Sequence, residues 1–325
     1  MKTIYDIAAE LNISASTVSR VFSKPELVSE NTRMMVLDKA KELGYQTNLI
    51  ASQLRRRNSD IIALVSLEKR WSMYTSALSN GVQKGAEDRG YNIVVVPIGM
   101  EPKKTIRMCE SMRFAGMIIA GTQLGDELYC TNNIIPLVYV NRNNLDKNVI
   151  LPDDRYGIRL GMDYLFKMGH REIGYINGPA TSFHSAIRYK AYEEWMGEHG
   201  CRIREEWIFD GDWAMESGYR AAVRIFSNRE LPTAIVVAND EMCKGVYQAA
   251  EKFGLTVGKD ISVIGYNNED DSSCVTPKLT TVSFPLYEMG LNATQMLFDV
   301  IENGSKEEAI IVRGELIVRD SVGKL

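Results

Sequence analysis

Histidine, cysteine and long apolar runs are all scarce in this chain of 325 residues. The three histidines, His170, His184 and His199, show no paired spacing, which argues against a His-rich metal site, and no metal is expected. The five cysteines, Cys109, Cys130, Cys201, Cys243 and Cys274, are odd in number and never spaced as CxxC. They read as reduced thiols of a cytoplasmic protein rather than as a disulfide framework. No apolar run approaches the roughly 18 to 20 residues that span a bilayer. The N-terminus opens into charged, amphipathic sequence without a signal-peptide pattern. Neither secretion nor a membrane partner is therefore expected. Also missing are a GxSxG elbow, a GxxxxGKS/T loop and a GxGxxG after a strand. No catalytic residue and no cofactor are expected, and the acidic run Glu269-Asp270-Asp271 reads as a solvated loop.

What is present is unevenly charged. Residues 1–57 hold nine Lys/Arg against six Asp/Glu, a net +3, which leaves −7 for the rest of a chain whose total is −4. A basic module ahead of a large acidic body suits a polyanion-binding head on a second domain. The length is too great for one typical domain and sufficient for two or three.

Within the basic module, Ile4, Ile7, Ala8 and Leu11 fall at i, i+3, i+4 and i+7, the stripe of a short helix. Thr3 and Asp6 are close to a capping-box arrangement. Asn12 and Ile13 interrupt the stripe, and Ser14 offers a fresh N-cap. Val18, Val21 and Phe22 line one side of a second helix, whose other face shows Ala15, Ser16, Thr17, Ser19 and Arg20. Ser29 caps a third, with Val36, Ala40 and Leu43 inward and Gly44 as the stop. Three short helices with a tight turn between the first two have the spacing of a helix-turn-helix. Arg20 can donate two hydrogen bonds to guanine O6 and N7, and the Ala15 methyl can meet a thymine methyl. Ser14, Ser16, Thr17 and Ser29 suit phosphate oxygens. Spacing alone leaves a helical bundle with a solvated polar face as the alternative.

The string Ser16-Thr17-Val18-Ser19-Arg20-Val21 narrows the choice, together with Thr3-Ile4-Tyr5-Asp6-Ile7-Ala8, Val28-Ser29-Glu30-Asn31-Thr32-Arg33 and Leu43-Gly44-Tyr45. These resemble the headpiece of the LacI/GalR family of bacterial repressors, without gaps through the module. The resemblance implies DNA contacts from Tyr5, Ser14, Ala15, Ser16, Thr17, Arg20, Ser29 and Thr32. It also implies that residues 48–58, with Asn48, Ala51 and Leu54, form a hinge helix that orders on operator DNA as a symmetric pair. Leu54 stands where the family places a minor-groove wedge. Arg55-Arg56-Arg57 departs from the more mixed family linker and favours salt-sensitive binding.

From residue 61 short β-rich runs alternate with amphipathic helices. Strands are expected at 61–66, 93–97, 116–120, 137–140, 173–177, 234–238 and 262–266, and helices at 74–89, 155–168, 187–199 and 240–253. This is the pattern of doubly wound parallel sheets with helices on both faces. Ligands of such sheets gather beyond the strand C-termini, which for two lobes means the cleft between them. Gly169-His170-Arg171-Glu172-Ile173-Gly174, Ala238-Asn239-Asp240-Glu241-Met242 and Gly265-Tyr266-Asn267-Asn268 resemble the periplasmic-binding-protein-like core of the same family. The expected organisation is a helix-turn-helix domain at 1–47, the hinge at 48–58 and a core at 59–325. The resemblance implies three crossings between lobes, near Gly157 to Met162, near Leu286 to Gly290 and around Arg319. The N-lobe would then take about 59–160 and 290–319, and the C-lobe about 161–289 and 320–325.

Strand ends in the core are aromatic and polar. Tyr74, Asn141, Arg142, Phe183, Arg188, Trp213, Asp240 and Asn267 are the expected effector contacts, with Asn239 beside them. A sugar needs a flat apolar face, from Trp213 or Phe183, and polar groups for its hydroxyls, from Arg188, Asp240 and Asn267. Many family members carry an acidic residue where Asn267 stands, so the sugar class is left open by an amide that both donates and accepts. Asp153 and Asp154 could instead bind the ligand or brace the lobes. The expected protein is a homodimeric repressor of a near-palindromic operator, controlled by a small molecule, a sugar or sugar derivative before a nucleobase or other metabolite. Less favoured are a solute-binding receptor and an α/β enzyme. With no leucine heptads before Leu325, a coiled-coil tetramer is not expected.

Overall fold

A computed structural model describes residues 2–23, 25–45, 59–66, 73–98, 101–121, 135–142, 147–304 and 309–325. The chain divides into two compact units, Met1–Asp60 and Ile61–Leu325. The hinge residues Asn48, Ala51 and Leu54 lie outside the described residues. No helix among the described residues is long and apolar enough to cross a membrane.

The first unit holds α1 (Ile4–Leu11), α2 (Ala15–Ser23) and α3 (Glu30–Glu42). Each start is fixed by a local hydrogen bond to an otherwise unpaired amide. At α1 the Thr3 hydroxyl accepts from the Asp6 amide at 3.4 Å while the Asp6 carboxylate accepts from the Thr3 amide at 2.6 Å, a complete capping box. Asn12 takes a left-handed conformation, φ 52°, to end α1, and two residues later Ser14 Oγ accepts from the Thr17 amide at 3.1 Å to begin α2. Ser29 Oγ caps α3 through the Thr32 amide at 3.4 Å, and Gly44 at φ +62° stops it. Ile7, Ala8, Val18, Val21, Val36 and Ala40 form the buried centre.

The second unit contains two six-stranded sheets. The first has the order β11-β5-β4-β3-β1-β2, from β1 (Ile61–Ser66), β2 (Asn92–Pro97), β3 (Gly116–Ala120), β4 (Leu137–Val140), β5 (Val149–Pro152) and β11 (Ala309–Val312), all parallel. The second has the order β12-β10-β9-β8-β6-β7, from β6 (Ile173–Asn177), β7 (Ile208–Asp210), β8 (Ala234–Val237), β9 (Ser262–Asn267), β10 (Thr280–Ser283) and β12 (Leu316–Ile317). Only the β10–β12 pair is antiparallel. Successive strand residues face opposite sides, so each strand feeds two cores. Ile62 and Leu64 join one cluster and Ala63 and Val65 another; Ile235 and Val237 are likewise separated from Ala234 and Val236. Burial on both faces is what makes these strands unbroken apolar runs.

Helices α4 (Met73–Glu87), α5 (Pro102–Ser111), α6 (Asp154–Lys167), α7 (Phe183–Glu198), α8 (Met215–Phe226), α9 (Asp240–Lys252) and α10 (Leu286–Asn303) cover the sheets. The chain passes between lobes at Asp153, at Phe284–Pro285 and at Arg313–Glu315, each a few residues before the expected position. The reason is packing. Gly157 and Gly161 already lie against Tyr266 and Ile264 of the second sheet, so α6 belongs wholly to the lobe it enters. Arg319 already donates to the Leu279 carbonyl at 2.7 Å in that lobe. In the same way α10 packs on α4, β3, β4 and β5 of the first lobe from its start.

Two helix pairs meet at backbone distance. A Cβ on Gly218 of α8 would stand 2.1 Å from the Met242 carbonyl oxygen of α9, and one on Gly81 of α4 would stand 2.1 Å from the Tyr287 carbonyl oxygen of α10. Gly197 of α7 has nothing within 4 Å of that position. Gly218→Ala should therefore cost about 1–3 kcal/mol by overpacking and lower Tm by several degrees. Gly197→Ala should hold Tm or raise it slightly, by up to about 1 kcal/mol of helix propensity; thermal unfolding of the two variants checks the contrast.

Candidate functional site

The C-terminal ends of strands from both sheets converge on a cavity of about 830 Å³. Asn141 follows β4, Asn239 follows β8, Asn267 ends β9 and Ser283 ends β10, and all four line it. Ser182, His184 and Arg188 enter from α7, and Trp213 from the loop before α8. Phe284, Arg313 and Glu315 enter from the passages between lobes. Four of the lining residues, Asn141 (φ 65°), Trp213 (φ 72°), Asn267 (φ 109°) and Asn268 (φ 52°), have left-handed backbone. Side chains with a Cβ adopt that conformation at a cost, and such strain concentrates at ligand sites. Trp213 is held in it by Asn239, whose Nδ2 donates to the Trp213 carbonyl at 2.9 Å while Oδ1 accepts from the Met242 amide at 3.0 Å to cap α9. Its indole lies so close to Gly178 that a Cβ there would stand 2.2 Å from the ring.

One wall rests on a buried carboxylate. Asp154, in the first turn of α6, accepts from Arg188 Nε at 2.8 Å through Oδ1 and from His184 Nδ1 through Oδ2. Arg188 also donates to the Ala238 carbonyl at 2.5 Å, and its guanidinium lies 3.6 Å from the centre of the Tyr266 ring. Burial pushes the Asp154 carboxyl up, but Arg188 and His184 together hold it below the ordinary carboxylate range. Two of Arg188's donor groups are thus committed within the protein, which makes it a positioning residue more than a free clamp for ligand hydroxyls. Asp153 braces the lobes: Oδ1 accepts from the Tyr156 amide at 3.0 Å and Oδ2 from Arg313 Nε at 3.2 Å, so two of the three passages are joined.

Of the expected effector contacts, Asn141, Arg188, Trp213 and Asn267 come together on the cavity wall. Tyr74 begins α4, but its side chain lies outside the described residues. Among the described residues the wall forms without Asp240, Arg142 and Phe183. Asp240 is fully buried and accepts from Thr281 Oγ1 at 2.6 Å, Ser272 Oγ at 2.5 Å and the Glu269 amide at 3.0 Å. Desolvation pushes its carboxyl up to about 7 against those three bonds. It fastens the 268–273 loop to β10 and leaves no room beside Gly265, where a Cβ would stand 2.1 Å from Oδ1. Arg142 is buried with its guanidinium 5.3 Å from the Tyr139 ring centre, and the Phe183 ring lies 5.2 Å from that of His184. His184, Ser182, Asn268, Glu269 and Phe284 were not anticipated on the wall. Glu269 had read as solvated; it lines the cavity half-buried, and desolvation raises its carboxyl.

In the first unit the expected DNA-facing residues lie on one module. Tyr5 is 71% exposed, and Ser14, Ser16, Arg20 and Ser29 are exposed, while Ala15, Thr17 and Thr32 are half-buried. Ser14 Oγ sits 2.7 Å from Ser16 Oγ and 2.8 Å from Thr17 Oγ1, which fixes the hydroxyls around the start of α2. An N-terminus with exposed hydroxyls and amides suits a phosphate.

Residues 3–48 match the family described as bacterial regulatory proteins, lacI family, and residues 162–322 match the periplasmic binding protein-like domain. The HTH-type transcriptional repressor PurR of Klebsiella pneumoniae (strain 342) is 32% identical, over 99% of this chain and 97% of its own length. That of Proteus mirabilis (strain HI4320) is 30% identical over the same shares. The lac repressor dimer bound to operator and the anti-inducer ONPF superposes with a TM-score of 0.86 at 28% identity, covering 98% of each chain. The complex of the transcriptional regulator CelR with cellobiose gives 0.71 at 25% identity, covering 99% of this chain and 100% of that one.

The Asp154 cluster makes a direct prediction. Asp154→Ala leaves the Arg188 charge buried without its partner, which should cost about 3–5 kcal/mol. Denaturant unfolding monitored by tryptophan fluorescence should show that loss, and a change under 1 kcal/mol would contradict the assignment.

Proposed function

Because the chain belongs to the LacI family of bacterial regulatory proteins and is a DNA-binding transcriptional repressor of it, we propose that a homodimer grips a near-palindromic operator and that a small ring molecule in the cleft sets its affinity. Two copies of the head related by a two-fold axis would place one α2 in the major groove of each half-site. Arg20 reads guanine, the Ala15 methyl meets a thymine methyl, and Tyr5, Ser14, Ser16, Thr17, Ser29 and Thr32 hold the phosphates. Residues 48–58, outside the described residues, would serve as the hinge, with Leu54 as the minor-groove wedge and Asn48 and Ala51 as further DNA contacts. The relatives are repressors, not enzymes, and no catalytic role is assigned to any residue.

The observation that carries the ligand half of the reading is the ring of left-handed residues at the strand ends, Asn141, Trp213 and Asn267. The Trp213 indole offers a flat face, and the amides offer paired donors and acceptors around it. A sugar or sugar derivative fits this set, in keeping with the cellobiose held by a structural neighbour. A nucleobase is the second reading, favoured by Asn267, whose amide matches a base edge as well as it matches a hydroxyl. Ligand that binds the closed lobes more tightly than the open ones shifts the core between two states, and operator affinity follows by linkage.

Operators selected from a random duplex library give the DNA for the test. Arg20→Ala should weaken binding to them by about 1–3 kcal/mol and relax preference at one base of each half-site; unchanged preference would remove Arg20 from base reading. Trp213→Ala should leave ligand-free operator binding intact and weaken the effector at least about tenfold, roughly 1.4 kcal/mol, measured by calorimetry.

A further inference from the structure

Among the described residues, two buried polar atoms on the cavity wall have no hydrogen-bond partner: Nε2 of His184 and Oδ1 of Asn141. Their residues are 7% and 5% exposed. Unpaired buried polar atoms are uncommon and carry a desolvation cost, so each calls for a partner. The partner's character follows from what holds the residues. His184 Nδ1 faces a carboxylate oxygen of Asp154, which can only accept, so the Nδ1 position carries the proton. Arg188 already pairs the Asp154 charge at 2.8 Å. In that tautomer Nε2 presents a lone pair. His184 and Asn141, from opposite lobes, therefore both present acceptors.

The charges around them point the same way. Glu269, Glu288 and Glu315 line the cavity. The two arginines of the wall are already paired, Arg188 with Asp154 and the Ala238 carbonyl, Arg313 with Asp153. Among the described residues no lysine lines it. A phosphate there would meet three carboxylates, while the charge of each wall arginine is already matched by an aspartate.

Resting on the effector-cleft reading above, we infer that the cleft takes an uncharged, unphosphorylated ring molecule that donates hydrogen bonds to His184 Nε2 and Asn141 Oδ1. The ring rests on Trp213, and its phosphorylated form is excluded. His184 is then the residue that sets ligand class, by way of a tautomer fixed from Asp154.

The test uses the full chain and matched pairs of probes: glucose and glucose 6-phosphate, ribose and ribose 5-phosphate, hypoxanthine and inosine 5′-phosphate. Thermal shift followed by calorimetry should find an uncharged member that binds at least tenfold more tightly than its phosphorylated counterpart, and the responding pair tells sugar from base. His184→Phe should weaken that member at least tenfold. Long-range ¹H–¹⁵N spectra should show His184 in the Nδ1–H tautomer at pH 8, an assignment simplified by there being three histidines in the chain. The inference is overturned if a phosphorylated member binds as tightly as its partner, if no uncharged member binds, or if Nε2 carries the proton. A phosphorylated ligand that still shifts operator affinity would sink the inference and keep the repressor reading. An uncharged ligand that binds without shifting operator affinity would do the reverse.

Discussion

A single buried carboxylate organises the ligand wall. Asp154 follows directly on the first passage between lobes, and its two oxygens reach Arg188 and His184 on α7. Arg188 carries the connection on to the end of β8 through the Ala238 carbonyl and onto the face of Tyr266 in β9. One ion cluster thus ties a passage, a helix and two strand ends into one rigid wall. Its cost is desolvation of both charges, and that cost is offset only because several hydrogen bonds satisfy the pair at once. Pre-organisation of this kind lowers the ordering that a ligand must supply on binding.

The opposite constraint, strain, shapes the rest of the cavity. Asn141, Trp213, Asn267 and Asn268 are held in left-handed backbone by bonds that reach beyond their own loops. Asn239 fixes Trp213 from the cap of α9, and Arg319 donates at 2.7 Å to the Asn268 side chain. Two of the passages are also stitched together where they join the second sheet: Ser283 and Glu315 exchange bonds of 2.7 and 2.8 Å. Closure of the cleft must therefore turn about a few short, cross-linked passages, and such passages favour discrete states over continuous deformation.

Much of this architecture was legible because its signals are local. Thr3, Ser14 and Ser29 announce helix starts through bonds to amides three residues away, and the apolar runs of β1, β3, β4 and β6 match their strands. The expected strands do not include β5, β7, β10, β11 or β12, and the two shortest of these are set by pairing. β12 has two residues and exists because β10 offers it an antiparallel edge, and β7 has three. The site divides in the same way. Trp213 and Asn267 were legible as cavity-wall residues because they lie at or just beyond strand ends, where ligands of α/β sheets gather. Asp240 stands off the cavity wall because hydroxyls 32 and 41 residues away in sequence, on Ser272 and Thr281, bury it. His184 was passed over because its meaning depends on Asp154, 30 residues earlier. Long-range partners, not residue types, decide which polar groups face the cavity.

The central claim is that occupancy of the cleft and grip on DNA are two readings of one equilibrium. The most direct measurement is operator affinity by fluorescence anisotropy, with the cleft empty and then saturated by a ligand shown calorimetrically to bind there. Coupled sites exchange about 1–3 kcal/mol, so the account predicts a change of roughly 5- to 150-fold in Kd. An operator affinity that stays the same with the cleft empty and full would contradict it.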